Sequence, residues 1–192
     1  SHPVTGWRSG VVGGHSAGEQ ASRTAVETLS RAGRHLHRLV ELYDENPNND
    51  QARRDVFDSL QEAVERANHH IFGYAQQKLD FRGMMTTASV VLLSRSAAFV
   101  AHVGDSRIYL HREGEMDQLT TDHTLAEALV EAGQLSREEV ADYAFRNILA
   151  RALGEQGTVE VDLLYVDLRP LDRLLLCSDG ITGYAELTAI NS

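Results

Sequence analysis

The chain has 192 residues, 42% of them hydrophobic and 24% charged, which fits one globular domain and excludes disordered, collagen-like and coiled-coil classes. Its 28 acidic residues against 18 basic leave a net charge of −10, and the basic residues are scattered, so a nucleic-acid or anionic-membrane surface is not expected. A single cysteine, Cys177, permits no intramolecular disulfide and no Cys/His zinc pattern, which points to a reducing compartment. No run approaches the ~18 apolar residues of a membrane span, and residues 1–10 lack the apolar stretch of a signal peptide. The sequence therefore predicts a soluble cytoplasmic protein, expected to be a monomer.

In chain order, apolar residues from Ser16 onward fall at Ala25, Leu29, Leu36, Leu39, Val40 and Tyr43, a helical stripe with Glu19 placed to complement the helix dipole. The polar stretch Asp44 to Asp50 reads as a loop. A second stripe follows at Val56, Leu60, Ala63, Val64, Ala67, Ile71 and Tyr74, so two long helices run in tandem. From Thr86 the pattern changes to short β-branched and apolar runs: Thr86–Leu93, Ala97–Val103, Arg107–His111, Val159–Leu168 and Arg173–Cys177. Ser-Arg-Ser before Ala97 and Glu113-Gly114 are hairpin signals. Between the strand groups lie helical patterns at Thr124–Gly133 and Ser136–Tyr143, the second opened by a Ser136/Glu139 capping box. Helices grouped and then strands grouped predict an α+β layered domain.

Three turns carry chemistry-bearing residues. Gly13-Gly14-His15-Ser16-Ala17-Gly18-Glu19 precedes a helix, where free backbone N–H groups suit an anion. Glu19 stands where a P-loop needs Lys, and the strand before Ser16 is too short for the nucleophile elbow of a serine hydrolase. Val103-Gly104-Asp105-Ser106-Arg107 lies between two apolar strands and reads first as turn chemistry. Leu174-Leu175-Leu176-Cys177-Ser178-Asp179-Gly180 ends a buried strand in a carboxylate, either a turn former or a ligand for a hard cation. Cys177 has Gly183 six residues on, where a cysteine phosphatase needs Arg, so its expected role is packing. Asp122-His123 reads as a helix N-cap. His35, His37, His69 and His70 form exposed-looking pairs with no expected role.

Taken together and in order, Gly13–Ser22, Gly83–Leu93, Ala97–Thr124, Ile148–Gly154 and Leu171–Tyr184 resemble the metal-dependent PPM (PP2C-type) protein serine/threonine phosphatases of the compact bacterial kind. The resemblance implies a four-layer αββα sandwich, two stacked antiparallel sheets flanked by helix pairs. It also implies two or three Mg²⁺ or Mn²⁺ ions that activate a water against phosphoserine or phosphothreonine. By the same resemblance Asp179 matches a metal-ligating aspartate and Asp122 the aspartate that helps hold a third ion. Arg8 matches an arginine that forks onto the substrate phosphate, and His15 contacts the phosphosubstrate or assists proton transfer. Its partners would be phosphorylated proteins, including a Ser/Thr kinase and its substrates.

The chain departs from that pattern at two junctions. Asn-Glu-Asp after the arginine and Ala-Asp-Gly-Met before Gly13 are missing at Gly10/Val11, and Arg-Asp-Asn is missing at Tyr184/Ala185. A lone Asp179 cannot hold two hard cations against their hydration. The expectation is one domain over residues 1–192 whose natural form contains those segments; the alternative is an inactive, phosphoprotein-binding or regulatory module on the same fold.

Overall fold

In the computed structural model, residues 11–12 and 15–178 are described, the side chains of Val11, Val12, His15 and Ser16 excepted. A short strand β1 (Val11–Val12) leads into helix α1 (His15–Glu45), which is followed by α2 (Asp50–Gln77). Asn49 caps α2, its Oδ1 accepting from the backbone N–H of Gln51 and Ala52, and this replaces donors that a helix start leaves unpaired. The predicted stripes are the buried ones: Ala25, Leu29, Leu36, Val40 and Tyr43 on α1, Val56, Leu60, Ala63, Val64, Ala67 and Ile71 on α2. Glu19 does not sit in the first turn of α1, which begins at His15; it pairs with Arg23 at 2.7 Å on the solvent face instead.

Two three-stranded antiparallel sheets follow. The first has the order β3 (Ala88–Leu93), β4 (Ala97–Val103), β7 (Asp162–Asp167), and the second β6 (Glu115–Gln118), β5 (Arg107–Arg112), β8 (Arg173–Cys177). A two-residue strand β2 (Met85–Thr86) pairs with β1. All seven residues of β4 are buried, as expected for a strand covered on both faces. On one side lie α1 and α2, joined to the sheet through Phe99. Its ring stands edge-on to Tyr43, Phe57 and Tyr165 at centroid separations of 5.0, 5.2 and 5.5 Å, the geometry that aromatic quadrupoles favour. The second sheet is reached from β4 through residues 104–106, and the two sheets with the helix pair give the expected α+β sandwich. Among the described residues one helix pair is present, over the first sheet.

Consecutive strands do not all pair. Leu93 to Ala97 is a hairpin, as is Arg112 to Glu115. But β4 and β5 belong to different sheets, so residues 104–106 carry the chain from one layer to the other. The region Ser136–Tyr143 is also not an α-helix. The Ser136/Glu139 box forms, with Ser136 N–H donating to Glu139 at 2.8 Å and Glu139 N–H to Ser136 Oγ at 3.4 Å, but it opens only a 3₁₀ turn at Glu139–Asp142. No apolar stripe buries that segment, and a cap without a buried face does not sustain a helix.

Candidate active site at one end of the sandwich

Backbone register assembles this end of the molecule. Val11 lies opposite Thr86, the next residue Thr87 packs against the Gly104–Ser106 crossover, and Arg107 lies opposite Cys177, the last residue of β8. The start of β1, the crossover and the exit of β8 therefore meet at one end of the two sheets. Asp179 comes two residues after β8; it and Arg8 lie outside the described residues. His15 is the first residue of α1, with its side chain outside the description.

The crossover is held from every side. Thr87 Oγ1 and Ser106 Oγ are 2.9 Å apart, and Ser89 Oγ lies 3.3 Å from the Ser106 carbonyl. Gly104 has φ of +113°, and a Cβ there would lie 2.3 Å from the Thr87 methyl, so both the torsion and the space demand glycine. Its carbonyl accepts from the backbone N–H of His123 at 2.8 Å and from His102 Nε2 at 2.9 Å. Its N–H donates to His123 Nδ1 at 3.0 Å.

These partners fix both tautomers. His102 Nε2 faces two carbonyls, Gly104 and Thr121, so it carries the proton, and Nδ1 accepts from Ser89 Oγ at 2.9 Å. His123 Nδ1 accepts from a backbone N–H, so its proton is on Nε2, 3.1 Å from Asp162 Oδ2. Burial, helped by the neighbouring His123 ring, lowers the His102 pKa to about 4. Burial also lowers His123, with its hydrogen bond to Asp162 opposing. Burial raises the Asp162 carboxyl, but hydrogen bonds from His123 and Arg151 outweigh this and hold it below the usual range; Arg151 Nη1 donates to it at 2.6 Å. Two rings and a carboxylate bound from two sides form one connected hydrogen-bond network, with the Arg151 guanidinium also 3.1 Å from His123 Nε2.

Asp122 stands next to this network. It is not the helix N-cap: Thr124 caps α3 (Leu125–Glu131), accepting from Glu127 N–H. Asp122 is gripped by Arg107, whose Nε donates to Oδ1 at 2.8 Å and whose Nη2 donates to Oδ2 at 2.6 Å, a bidentate fork that raises the guanidinium pKa above its ordinary value. A polar cleft of about 260 Å³ opens beside the pair, with Gln118, Thr121, Glu127 and Arg137 on its walls. Arg137 is itself forked onto Glu127 at 2.6 Å, so both guanidinium groups of the cleft are already neutralised by carboxylates.

Among the described residues no three His, Cys, Asp or Glu side chains converge as metal ligands, and both oxygens of Asp122 are occupied by Arg107. The described residues therefore do not by themselves fit a divalent cation, and no chemical step is assigned to one. Cys177 is buried, burial pushing its thiol pKa up, which matches a packing role. Two of the helical histidines bridge the helix pair, His70 Nδ1 meeting Thr28 Oγ1 at 3.0 Å and His35 meeting Ser59 at 3.4 Å, while His37 and His69 bond to Glu41 and to the Glu65 carbonyl within their own helices. Sequence reasoning missed His102, Arg151 and Asp162 and read His123 only as part of a cap. The one available signal was a histidine interrupting the otherwise apolar run Ala97–Val103.

Residues 9–191 match the family described as Protein phosphatase 2C. The chain belongs to that family. Among proteins of known function it is 39% identical over 172 residues to the serine/threonine phosphatase stp of Listeria innocua, covering 90% of this chain and 64% of that one. It is 35% identical over 171 residues to the serine/threonine protein phosphatase PstP of Mycobacterium tuberculosis, covering 89% and 30%. The crystal structure of the M. tuberculosis phosphatase PstP/Ppp superposes with a TM-score of 0.79 at 33% identity, over 95% of this chain and 71% of that one. A structure of the PstP catalytic domain in complex with two manganese ions gives 0.73 at 32% identity, over 95% and 70%. This member of the Protein phosphatase 2C family thus spans less than two thirds of the length of the curated relatives it matches first. Among its described residues no helix is long and apolar enough to cross a membrane.

Proposed function

We infer that the protein is a phosphoprotein phosphatase that hydrolyses phosphoserine and phosphothreonine, working with Mg²⁺ or Mn²⁺. The observation that carries this reading is the ordered match to serine/threonine phosphatases across about nine tenths of the chain. The reading assigns a metal-ligand role to Asp179, because it follows two residues after β8, the strand that ends where the two sheets meet, and a carboxylate is a hard-cation ligand. Asp122 is assigned to the same end, with Arg107 as its competing partner. Arg8 and His15 are assigned to the phosphate. The remaining ligands belong to segments that interrupt the chain at Gly10/Val11 and Tyr184/Ala185. This is supported by a match that uses nearly all of this chain but 64% of its L. innocua relative. Its partners are phosphorylated proteins, among them a Ser/Thr kinase and that kinase's substrates.

The test is phosphate release from a phosphothreonine peptide by the natural full-length protein. Release stimulated by Mn²⁺, stopped by chelator and lost in Asp179→Ala is expected. A protein that binds the phosphopeptide without releasing phosphate at any metal concentration would instead be the regulatory module. Release indifferent to both chelator and Asp179→Ala would contradict the assignment of the metal.

A further inference from the structure

The geometry points to His102 and His123 as a pair of positioning residues: together they clamp Gly104 through its carbonyl and its N–H, and so hold the crossover where it meets the exit of β8 at the candidate active site. The inference rests on the phosphatase reading for its catalytic consequence but not for the clamp itself.

The crossover has unusual demands. It is a three-residue bridge between two sheets, so no ladder hydrogen bonds hold it, and Gly104 sits at φ of +113°, one of several torsions open to a glycine, so the surrounding structure has to select it. The enforcement comes from two side chains on different elements. His102, on β4, donates from Nε2 to the Gly104 carbonyl; His123, from the segment before α3, accepts the Gly104 N–H at Nδ1. The rings lie 4.8 Å apart, and each is oriented at its far nitrogen, His102 by Ser89 and His123 by Asp162. Asp162 is in turn held by Arg151. The two peptide units flanking the Gly104 Cα are thus each held by a neutral ring that is itself oriented by a partner, an arrangement of the kind that supports precise sites. Asp105, half-buried, follows directly, and Arg107 opposite Cys177 ties the crossover to the strand that leads to Asp179. A displacement of about 1 Å at a reacting constellation costs on the order of a hundredfold in rate.

The two positions call for opposite replacements, which separates positioning from simple packing. A glutamine amide nitrogen reaches where His Nε2 was, and an asparagine oxygen reaches where His Nδ1 was. At His102, where the Nε2 donor matters, His102→Gln should retain most activity and His102→Asn little. At His123, where the Nδ1 acceptor matters, His123→Asn should retain most activity and His123→Gln little. The assay is metal-supported hydrolysis of an aryl phosphate by the natural full-length protein, alongside amide hydrogen exchange of residues 103–107. The deficient variants should lose about 100-fold in kcat, with KM within about threefold, and should lose protection at the Gly104 amide. If glutamine, the larger side chain, is the better replacement at both positions, the role is space-filling and the inference is overturned. It is also overturned if kcat falls while exchange at Gly104 is unchanged, or if all four variants keep full activity. Wild-type protein with no phosphatase activity would overturn the reading of function instead, and the exchange rates would still decide the clamp by the same Gln/Asn ordering.

Discussion

Two glycine turns within ten residues of each other do different work. At Glu113-Gly114, φ values of +55° and +89° close a tight hairpin between β5 and β6, and a Cβ on Gly114 would meet nothing within 4 Å. At Gly104 a Cβ would strike the Thr87 side chain at 2.3 Å, and the peptide is bonded on both sides by histidines. The first turn needs glycine only for its torsion. The second needs it also because three separate elements close in on the backbone.

The largest effect is expected at the crossover. Gly104→Ala should destabilise by at least about 3 kcal/mol, combining left-handed strain with overpacking against Thr87, so thermal unfolding should drop by roughly 10 °C; a variant within a degree or two of wild type would show that Thr87 yields freely. Next comes pH. His102 titrates at about 4 when folded against 6.5 when unfolded, so between those values the unfolded chain binds a proton that the folded chain does not. Its contribution to stability is complete above about pH 7.5 and is lost as pH falls, by about 3 kcal/mol across the whole window. Urea unfolding from pH 7.5 to 4.5 should show that slope, and His102→Gln should flatten it. The smallest effect belongs to the hairpin: Gly114→Ala should cost only about 1 kcal/mol, from torsional strain alone, with crossover amide exchange unchanged. An effect as large as that of Gly104→Ala would erase the distinction.

Local signals account for what the sequence made legible. The two amphipathic helices, the strand runs and both hairpins follow from periodicity and turn residues, and the buried faces of α1 and α2 are the predicted ones. The crossover was not legible, because Val103-Gly104-Asp105-Ser106-Arg107 has the composition of any turn and nothing local says that its flanking strands join different sheets. Strand β6, Glu115–Gln118, was missed because an edge strand of Glu, Met, Asp and Gln has no apolar alternation. Asp122 was read against its immediate neighbours as a cap, whereas its partner is Arg107, reached only once β5 and the segment before α3 are folded together. The clamp was hidden for the same reason: Gly104, His102, His123 and Asp162 become one network only through β4, the crossover and β7. What the ordered motifs did convey was family membership, which the match over residues 9–191 bears out.

Under the proposed function, a divalent cation and a phosphoester come together where the crossover meets the exit of β8. Paramagnetic broadening of backbone amide signals during titration of Mn²⁺ into the natural full-length protein tests it most directly, because the effect falls off steeply with distance from the ion. Gly104, Asp105, Ser106 and Cys177 should broaden first, and Asp179→Asn should weaken the effect there. Broadening that instead begins at the acidic loop Asp44 to Asp50, with Gly104 and Cys177 untouched at saturation, would contradict it.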